Sequence, residues 1–439
     1  MSEARMWELF PPKIRLTGRP QPGAEAAANL AKDFERFRDG LPSGLESYIL
    51  ETYGINLAGV YGGHAIKNPF GKASGQLSLV RHQVEKDAEA GLGFVILKTL
   101  IAQDSTGEQS MHEWAIPETR MLVEKVRGRS GTDGWTVTWK GRGWFDTFQA
   151  YLDFFDQSLK IGGPAQMLIV PSVKYHLPTP EEDFWKEEEY DFTTQALVEV
   201  WDRHEPKKLM PMEKDFSPTL AGSQRATVQA KILEWLARVP GLIHRAAPGK
   251  VTMGLKMFNT LFEDEFQLRM LDRVHSASGE DRPDFLIYAN RLFDPKKPFE
   301  DTVGVAYGGP DLSERNLAAL EKFLCLLADG KSGRQLIPIS TSATGDIHSG
   351  RIAAEYLLRG SSSFQIHTLF QLPDSEFAMR TGSKTEKSLH RLLFDPEEGF
   401  LAWLLDLRAR LGLPEEAGVA ETAAWCVANW KNVQGSLQK

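Results

Sequence analysis

Cysteine is nearly absent: the 439 residues contain two, Cys325 and Cys426. Both fall in apolar, helix-patterned surroundings, which fits a reducing compartment and offers neither a disulfide framework nor metal-ligand spacing. Apolar runs long enough to span a bilayer, about 18 residues, are missing, and so is an apolar signal core. Basic runs are missing too. Lys and Arg number 51 against 59 Asp and Glu, a formal net charge of −8, which argues against nucleic acid as a partner. No internal repeat and no low-complexity tract occurs. The remainder, 42% hydrophobic and 25% charged, is ordinary for a soluble globular chain. The expectation is a cytoplasmic protein, without metal, that acts on a small molecule.

The most informative stretch is 336–369, LIPISTSATGDIHSGRIAAEYLLRGSSSFQIHTL. It reads as a buried strand over 336–341, a turn of small residues over 342–350, a helix over 351–359 stopped by Gly360, and a second strand over 364–368. Small residues running into a helix N-terminus present free N–H groups to an anion, commonly phosphate. An ordinary βα turn would read the same way.

The rest of the chain alternates similarly. Prolines break up 1–23, and helices are predicted over 24–38 and 45–53 as an N-terminal extension. Phe34 and Phe37 give the first helix an apolar stripe, but Asp33, Glu35, Arg36 and Arg38 dilute it, which favours docking on the domain over lying in a membrane. Strands are expected at 68–75, 94–100, 167–173, 209–216, 251–258 and 285–290, with helices at 79–90, 144–159, 193–203, 223–239 and 264–276. The polar stretch 102–138 is too long for a plain connection and reads as an insertion over the mouth of a site. The acidic segment 181–191 reads as a solvated face. Strands nearly all followed by helices spell an α/β fold, an eight-stranded parallel (β/α)8 TIM barrel. The expected division is an extension at 1–60, the barrel at 61–395 and helices padding it at 396–439.

In such a barrel chemistry sits at the C-terminal strand ends. Those ends supply Ala73, Ser74 and Gly75; Lys98 and Thr99; Asp215, Phe216, Ser217 and Pro218; Lys256; Asn290 and Arg291; and Thr344, Gly345, His367 and Thr368. Lysine is rarely buried unpaired, so Lys98 and Lys256 each need an anion, either a bound phosphate or a cofactor that becomes anionic on reduction.

Six pieces in order resemble the FMN-containing dihydroorotate dehydrogenase family, over about 68–372. NPFGKASG resembles its NP-x-x-x-ASG, LKTL its T-K-[ST], GLKMF its V-K-L and YAN its I-N-T. AYGGPDLS resembles GG-[LI]-[SG]-G, and TGDIHSGRIAAEYLLRGSSSFQIHT resembles the closing phosphate segment. The resemblance implies an FMN-dependent oxidoreductase. It implies flavin contacts from Ala73, Ser74, Gly75, Lys98, Thr99 and Lys256, and phosphate contacts from Gly308, Gly309, Thr344, Gly345, His367 and Thr368. Asn290 would bind substrate, with Lys214 and Thr219 at positions where the family has asparagines.

The departures lie on that substrate side. The family's N-x-S-[SC]-P-N is here Lys214-Asp215-Phe216-Ser217-Pro218-Thr219, and no asparagine stands in 138–144. Of four ring-reading asparagines only Asn290 remains, and a site built to hydrogen-bond a polar ring is sensitive to such losses. Ser217 is the positional candidate for the base, with Asp215, two residues away on the same side of a strand, or Lys98 assisting. A barrel that keeps FMN or a phosphate ligand but acts on another substrate, or has no turnover, is the alternative. A homo-oligomer or a separate electron-transfer partner stays open.

Overall fold

Short runs such as FVI, VTMGLK and FLIY are apolar on both faces, as strands between a packed bore and a ring of helices must be. The computed structural model describes residues 16–115, 121–139, 143–216, 223–299, 302–329, 338–414 and 416–437. Its parallel sheet has ten segments. Two staves consist of two segments each, so the ten make eight: β1 Phe70–Lys72, β2 Phe94–Ile96 continuing as Leu100–Ile101, β3 Leu168–Val170 continuing as Ser172–Lys174, β4 Met210–Asp215, β5 Val251–Lys256, β6 Phe285–Tyr288, β7 Ser340–Thr344 and β8 Ser361–Ile366. Each stave pairs with the next, and β8 closes on β1 with Phe364 beside Phe70 and Ile366 beside Lys72. Pro171 divides β3; it has no N–H to donate, but its carbonyl accepts from Glu213 N at 3.0 Å. The expected barrel is the observed architecture.

Helices α1 (Ala24–Arg36) and α2 (Leu45–Tyr53) precede the barrel. Asp33 is buried in α1, where it accepts from Tyr48 Oη at 2.6 Å and Tyr53 Oη at 2.7 Å. The charge that dilutes the stripe in sequence thus ties α1 to α2. The barrel helices are α3 (Arg81–Ala90), α4 (Phe148–Gly162), α5 (Glu187–Asp202), α6 (Gln229–Ala246), α7 (Asp264–His275), α8 (Pro310–Ala328), α9 (Gly350–Leu358) and α10 (Lys384–Phe394). Helices α11 (Phe400–Leu411) and α12 (Val419–Ala428) pack on α9, and α13 (Trp430–Leu437) packs on α8 and α11.

Several boundaries differ from expectation. The seventh strand covers Ser340–Thr344 rather than ending at 341, with 336–337 of the expected span outside the described residues, and the eighth begins at Ser361; the small polar residues at the start of each carry no apolar signal. Helix α6 runs through Pro240 to Ala246, because a buried apolar face continues past the proline. Helix α5 starts inside the acidic segment, which places Glu187, Glu188 and Glu189 in its first turn, where the helix dipole favours them. Glu189 is buried there and accepts from Ser110 and His176 rather than facing solvent. Two antiparallel hairpins stand over the barrel mouth: Met121–Arg127 with Asp133–Trp139, inside the expected insertion, and Leu292–Phe299 with Thr302–Tyr307.

A small hairpin, Gly59–Tyr61 with His64–Ile66, closes the other end of the barrel. Its Tyr61 packs with Phe94, Ile96, Val170, Phe285 and Ile287 as a cluster separate from the outer core. Above that plug lies a buried polar knot. Tyr61 Oη donates to Glu213 at 2.5 Å, Gln365 Nε2 donates to the same carboxylate, and Lys256 Nζ lies 3.3 Å from both Glu213 and Gln365 Oε1. Glu213→Ala leaves Lys256 buried without its carboxylate and is expected to lower unfolding stability by about 3–5 kcal/mol. Urea unfolding followed by tryptophan fluorescence measures this; an unchanged midpoint contradicts a knot that holds the bore together.

Candidate active site

The strand ends converge on one cavity at the C-terminal mouth. It encloses about 1330 Å³ of non-protein space including the opening, room for a cofactor together with a small substrate. Ala73, Ser74, Gly75, Lys98, Thr99, Asp215, Lys256, Gly308, Gly309, Asn290, Thr344, Gly345, His367 and Thr368, all singled out in the sequence, line it. Ser217 and Thr219 lie outside the described residues. Lys214 does not line the cavity. It is fully buried beside the strand, with Nζ 3.2 Å from Asp215 O and 4.6 Å from the Phe216 ring centroid.

One wall is made of backbone. A Cβ on Gly75 would stand 2.5 Å from His367 Nε2, and one on Gly345, whose φ is +116°, would stand 2.5 Å from Asn316 Nδ2. The left-handed backbone keeps the second place for glycine, and at the first a Cβ would displace the His367 ring. Ser74 Oγ, Thr99 Oγ1 and Ser172 Oγ form a hydroxyl chain with steps of 2.9 and 3.1 Å. Burial, then the cations Arg291, Lys72, Lys98 and Lys256, push His367 well below its ordinary value, so it enters as a neutral imidazole; its Nδ1 accepts from Gln371 at 3.0 Å.

The opposite wall is charged. Asp215 accepts from Asn290 Nδ2 at 3.0 Å, and Lys174 Nζ lies 3.5 Å from its other oxygen and 4.5 Å from the Trp114 ring centroid. Burial works to raise the Asp215 carboxyl, but Lys174, Lys256 and Lys214 with the Asn290 hydrogen bond bring it below the usual carboxylate value. Near neutral pH it is therefore a fixed anion and a weak proton acceptor. Burial, reinforced by Lys174 and opposed by Asp215, lowers the Lys98 ammonium to about 7. An amine poised there can hold or release a proton at working pH.

Arg291, expected at the end of the sixth strand, lines the cavity too, whereas sequence reading missed Lys174, Gln365, Asp346 and His348. Lys174 carried the same signal as Lys98 and Lys256, a lysine ending a buried strand in VPSVK. The hairpins close the mouth through Gly308 N, which donates to Thr136 Oγ1 at 2.9 Å, and through Arg291, which donates to Val137 O. Among the described residues, no group of three or more His, Cys, Asp or Glu could hold a metal ion, no helix is long and apolar enough to cross a membrane, and neither α1 nor α2 contributes to this cavity.

No family model matches the chain, and no curated protein matches its sequence. Among solved structures, it is similar to ligand-free dihydroorotate dehydrogenase (DHODH) from Eimeria tenella, with a TM-score of 0.51 and 13% identity over 88% of this chain and 95% of that one. It is also similar to DHODH of the same organism in complex with ferulenol, with a TM-score of 0.47 and 13% identity over 86% and 93% of the two chains. The fold is thus that of the dihydroorotate dehydrogenases, which the ordered strand-end motifs resemble. At 13% identity the likeness speaks for the fold and not for the substrate.

The two neighbours of Lys98 act on it in opposite directions. Lys174→Met is expected to move the Lys98 titration above about 7, and Asp215→Asn below it. Lysine ¹³Cε shifts followed over pH report both; displacement in the same direction for the two variants contradicts this electrostatic arrangement.

Proposed function

We propose that this chain is a flavin-dependent dehydrogenase acting on CH–CH bonds. It moves a hydride between FMN and a dihydroorotate-like cyclic substrate, with dihydroorotate to orotate as the best named case. The observation that carries the reading is the joint placement of Lys98, Lys256, Asp215 and Asn290 in one cavity walled by glycine backbone. Buried cations at the end of a barrel suit a ring system that gains negative charge, and a backbone wall suits a flat one.

The residues present fit a flavin at its ring end. Ala73, Ser74, Gly75, Lys98, Thr99 and Lys256 would hold the ring, while Gly308, Gly309, Thr344, Gly345, His367 and Thr368 would hold the far end. FMN, when bound, supplies the hydride chemistry. The chain's own residues orient the substrate and move its proton. Asn290, held by Asp215, is fixed for substrate contact. Ser217 is the positional base, and a serine hydroxyl needs a stronger neighbour to take its proton. Lys98 suits that relay better than Asp215, because its amine is largely neutral above pH 7. The charged wall of Asp215 and Lys98, backed by Lys174 and standing where the resembled family reads an amide-rich ring, favours a second reading in which the substrate differs from dihydroorotate. The charges on Glu35, Arg36 and, just beyond the helix, Arg38 deny α1 a wide apolar face, which favours a soluble electron acceptor as the partner.

Anaerobic mixing of the FMN-loaded protein with dihydroorotate and related cyclic substrates tests the reading through bleaching of the visible flavin bands. The reduction rate is expected to rise with pH and level off above about 7, as Lys98 loses its proton. Ser217→Ala is expected to lower it ~10²-fold while leaving flavin bound. A protein that takes up no flavin overturns the proposal; bleaching at equal rates in wild type and Ser217→Ala assigns the base elsewhere.

A further inference from the structure

The far end of the cavity carries a charge that a phosphate site would not be expected to hold. Asp346 follows Gly345 in the turn from β7 to α9, lines the cavity and has φ +51°, a conformation usually left to glycine or asparagine. Its side chain is 2% exposed. Oδ2 accepts from Ser313 Oγ, in the first turn of α8, at 3.3 Å and lies 3.1 Å from His348 Nδ1. The amino end of α8, entered through Gly308 and Gly309, is where main-chain N–H groups and the helix dipole favour an anion. There the chain supplies an anion of its own.

Further acid surrounds it. Asp311 accepts from Arg129 N at 2.7 Å, and Glu314 accepts from Ser130 Oγ at 2.5 Å. Burial raises the Glu314 carboxyl, and Asp311 and Asp346 push it further, so these acidic groups feel one another. Cationic groups stand near the turn as well. The nearest is His348, which burial works to lower but Asp346 holds above its ordinary value against Arg391 of α10. Arg291 lines the cavity but is committed to the carbonyls of Val137 and Ala306.

We propose that Asp346 makes the far end of this cavity select against a phosphate dianion, so that the chain holds riboflavin at least as tightly as FMN. This rests on the flavin reading above. A carboxylate offers acceptors to the hydroxyls of a ribityl chain. Toward a phosphate held close to it a carboxylate would be repulsive, on the order of 10²-fold in affinity for a separation of ~5 Å in a partly buried site.

Titration of the full-length protein with FMN and with riboflavin, read by flavin fluorescence at pH 8, tests this in wild type, Asp346→Asn and Asp346→Gly. Both replacements tolerate the left-handed backbone, and circular dichroism checks that each variant is folded. The expected result is a wild-type Kd for FMN equal to or above that for riboflavin. Each substitution then lowers the FMN Kd by ~10-fold or more and moves the riboflavin Kd by less than ~3-fold. If wild type holds FMN more than ~10-fold tighter than riboflavin, or if the ratio is unchanged in the folded variants, the proposal fails while the flavin reading stands. If neither flavin binds any of the three proteins, the flavin reading fails and takes the proposal with it.

Discussion

Ionic pairing inside the bore is the constraint on which the rest of the structure depends. A parallel barrel of this size is usually filled with branched apolar side chains, and its interior gives little solvation to a charge. This one brings in Lys256, Lys98 and Lys174 along three staves and answers them with Glu213 and Asp215 from a fourth. Removing one member would leave another charge stranded, so the set acts as a unit. The hairpin that plugs the bottom belongs to the same unit, because Tyr61 completes the hydrogen bonding of Glu213.

That arrangement sorts the lysines by task. Lys256 is tied to Glu213 and Gln365 at the cavity floor, and Lys174 to Asp215 and the Trp114 face behind the wall. Lys98 lies between an anion and a cation whose effects oppose, and burial decides its proton affinity. Fixed charges preorganised in a low-dielectric cavity serve chemistry in which charge develops on a ligand. A glycine wall on one side and a charged wall on the other leave a slot between them.

How far this was legible in the sequence differs by element. Apolar strands such as Phe285–Tyr288 and Val251–Lys256 show plainly, because strands covered on both faces need continuous hydrophobic runs. Ser340–Thr344 and Ser361–Ile366 show with shifted bounds, since their small polar residues look like turns in sequence. The hairpin Leu292–Phe299 holds Pro295 and Pro298, which suit an edge strand and hide it from a propensity reading. Site residues carried by a motif, such as Gly75, Lys98 and Asn290, are visible because the chemistry needs that residue type there. The partnerships are not: Lys174 with Asp215 and Tyr61 with Glu213 depend on barrel register and on a hairpin far away in sequence. Asp346 is hidden for another reason, since TGD in a small-residue turn reads as a phosphate turn until its carboxylate is seen beside Ser313.

The central claim is that the buried cations at the cavity face a ring that becomes anionic on reduction. The two-electron midpoint potential of the flavin-loaded protein, measured against free flavin and repeated with Lys98→Met, addresses it most directly. The account predicts a wild-type potential more positive than that of free flavin, and a shift to more negative values in the variant of ~30 mV or more below pH 7, where Lys98 is charged. A potential equal to that of free flavin and unmoved by the substitution would contradict it.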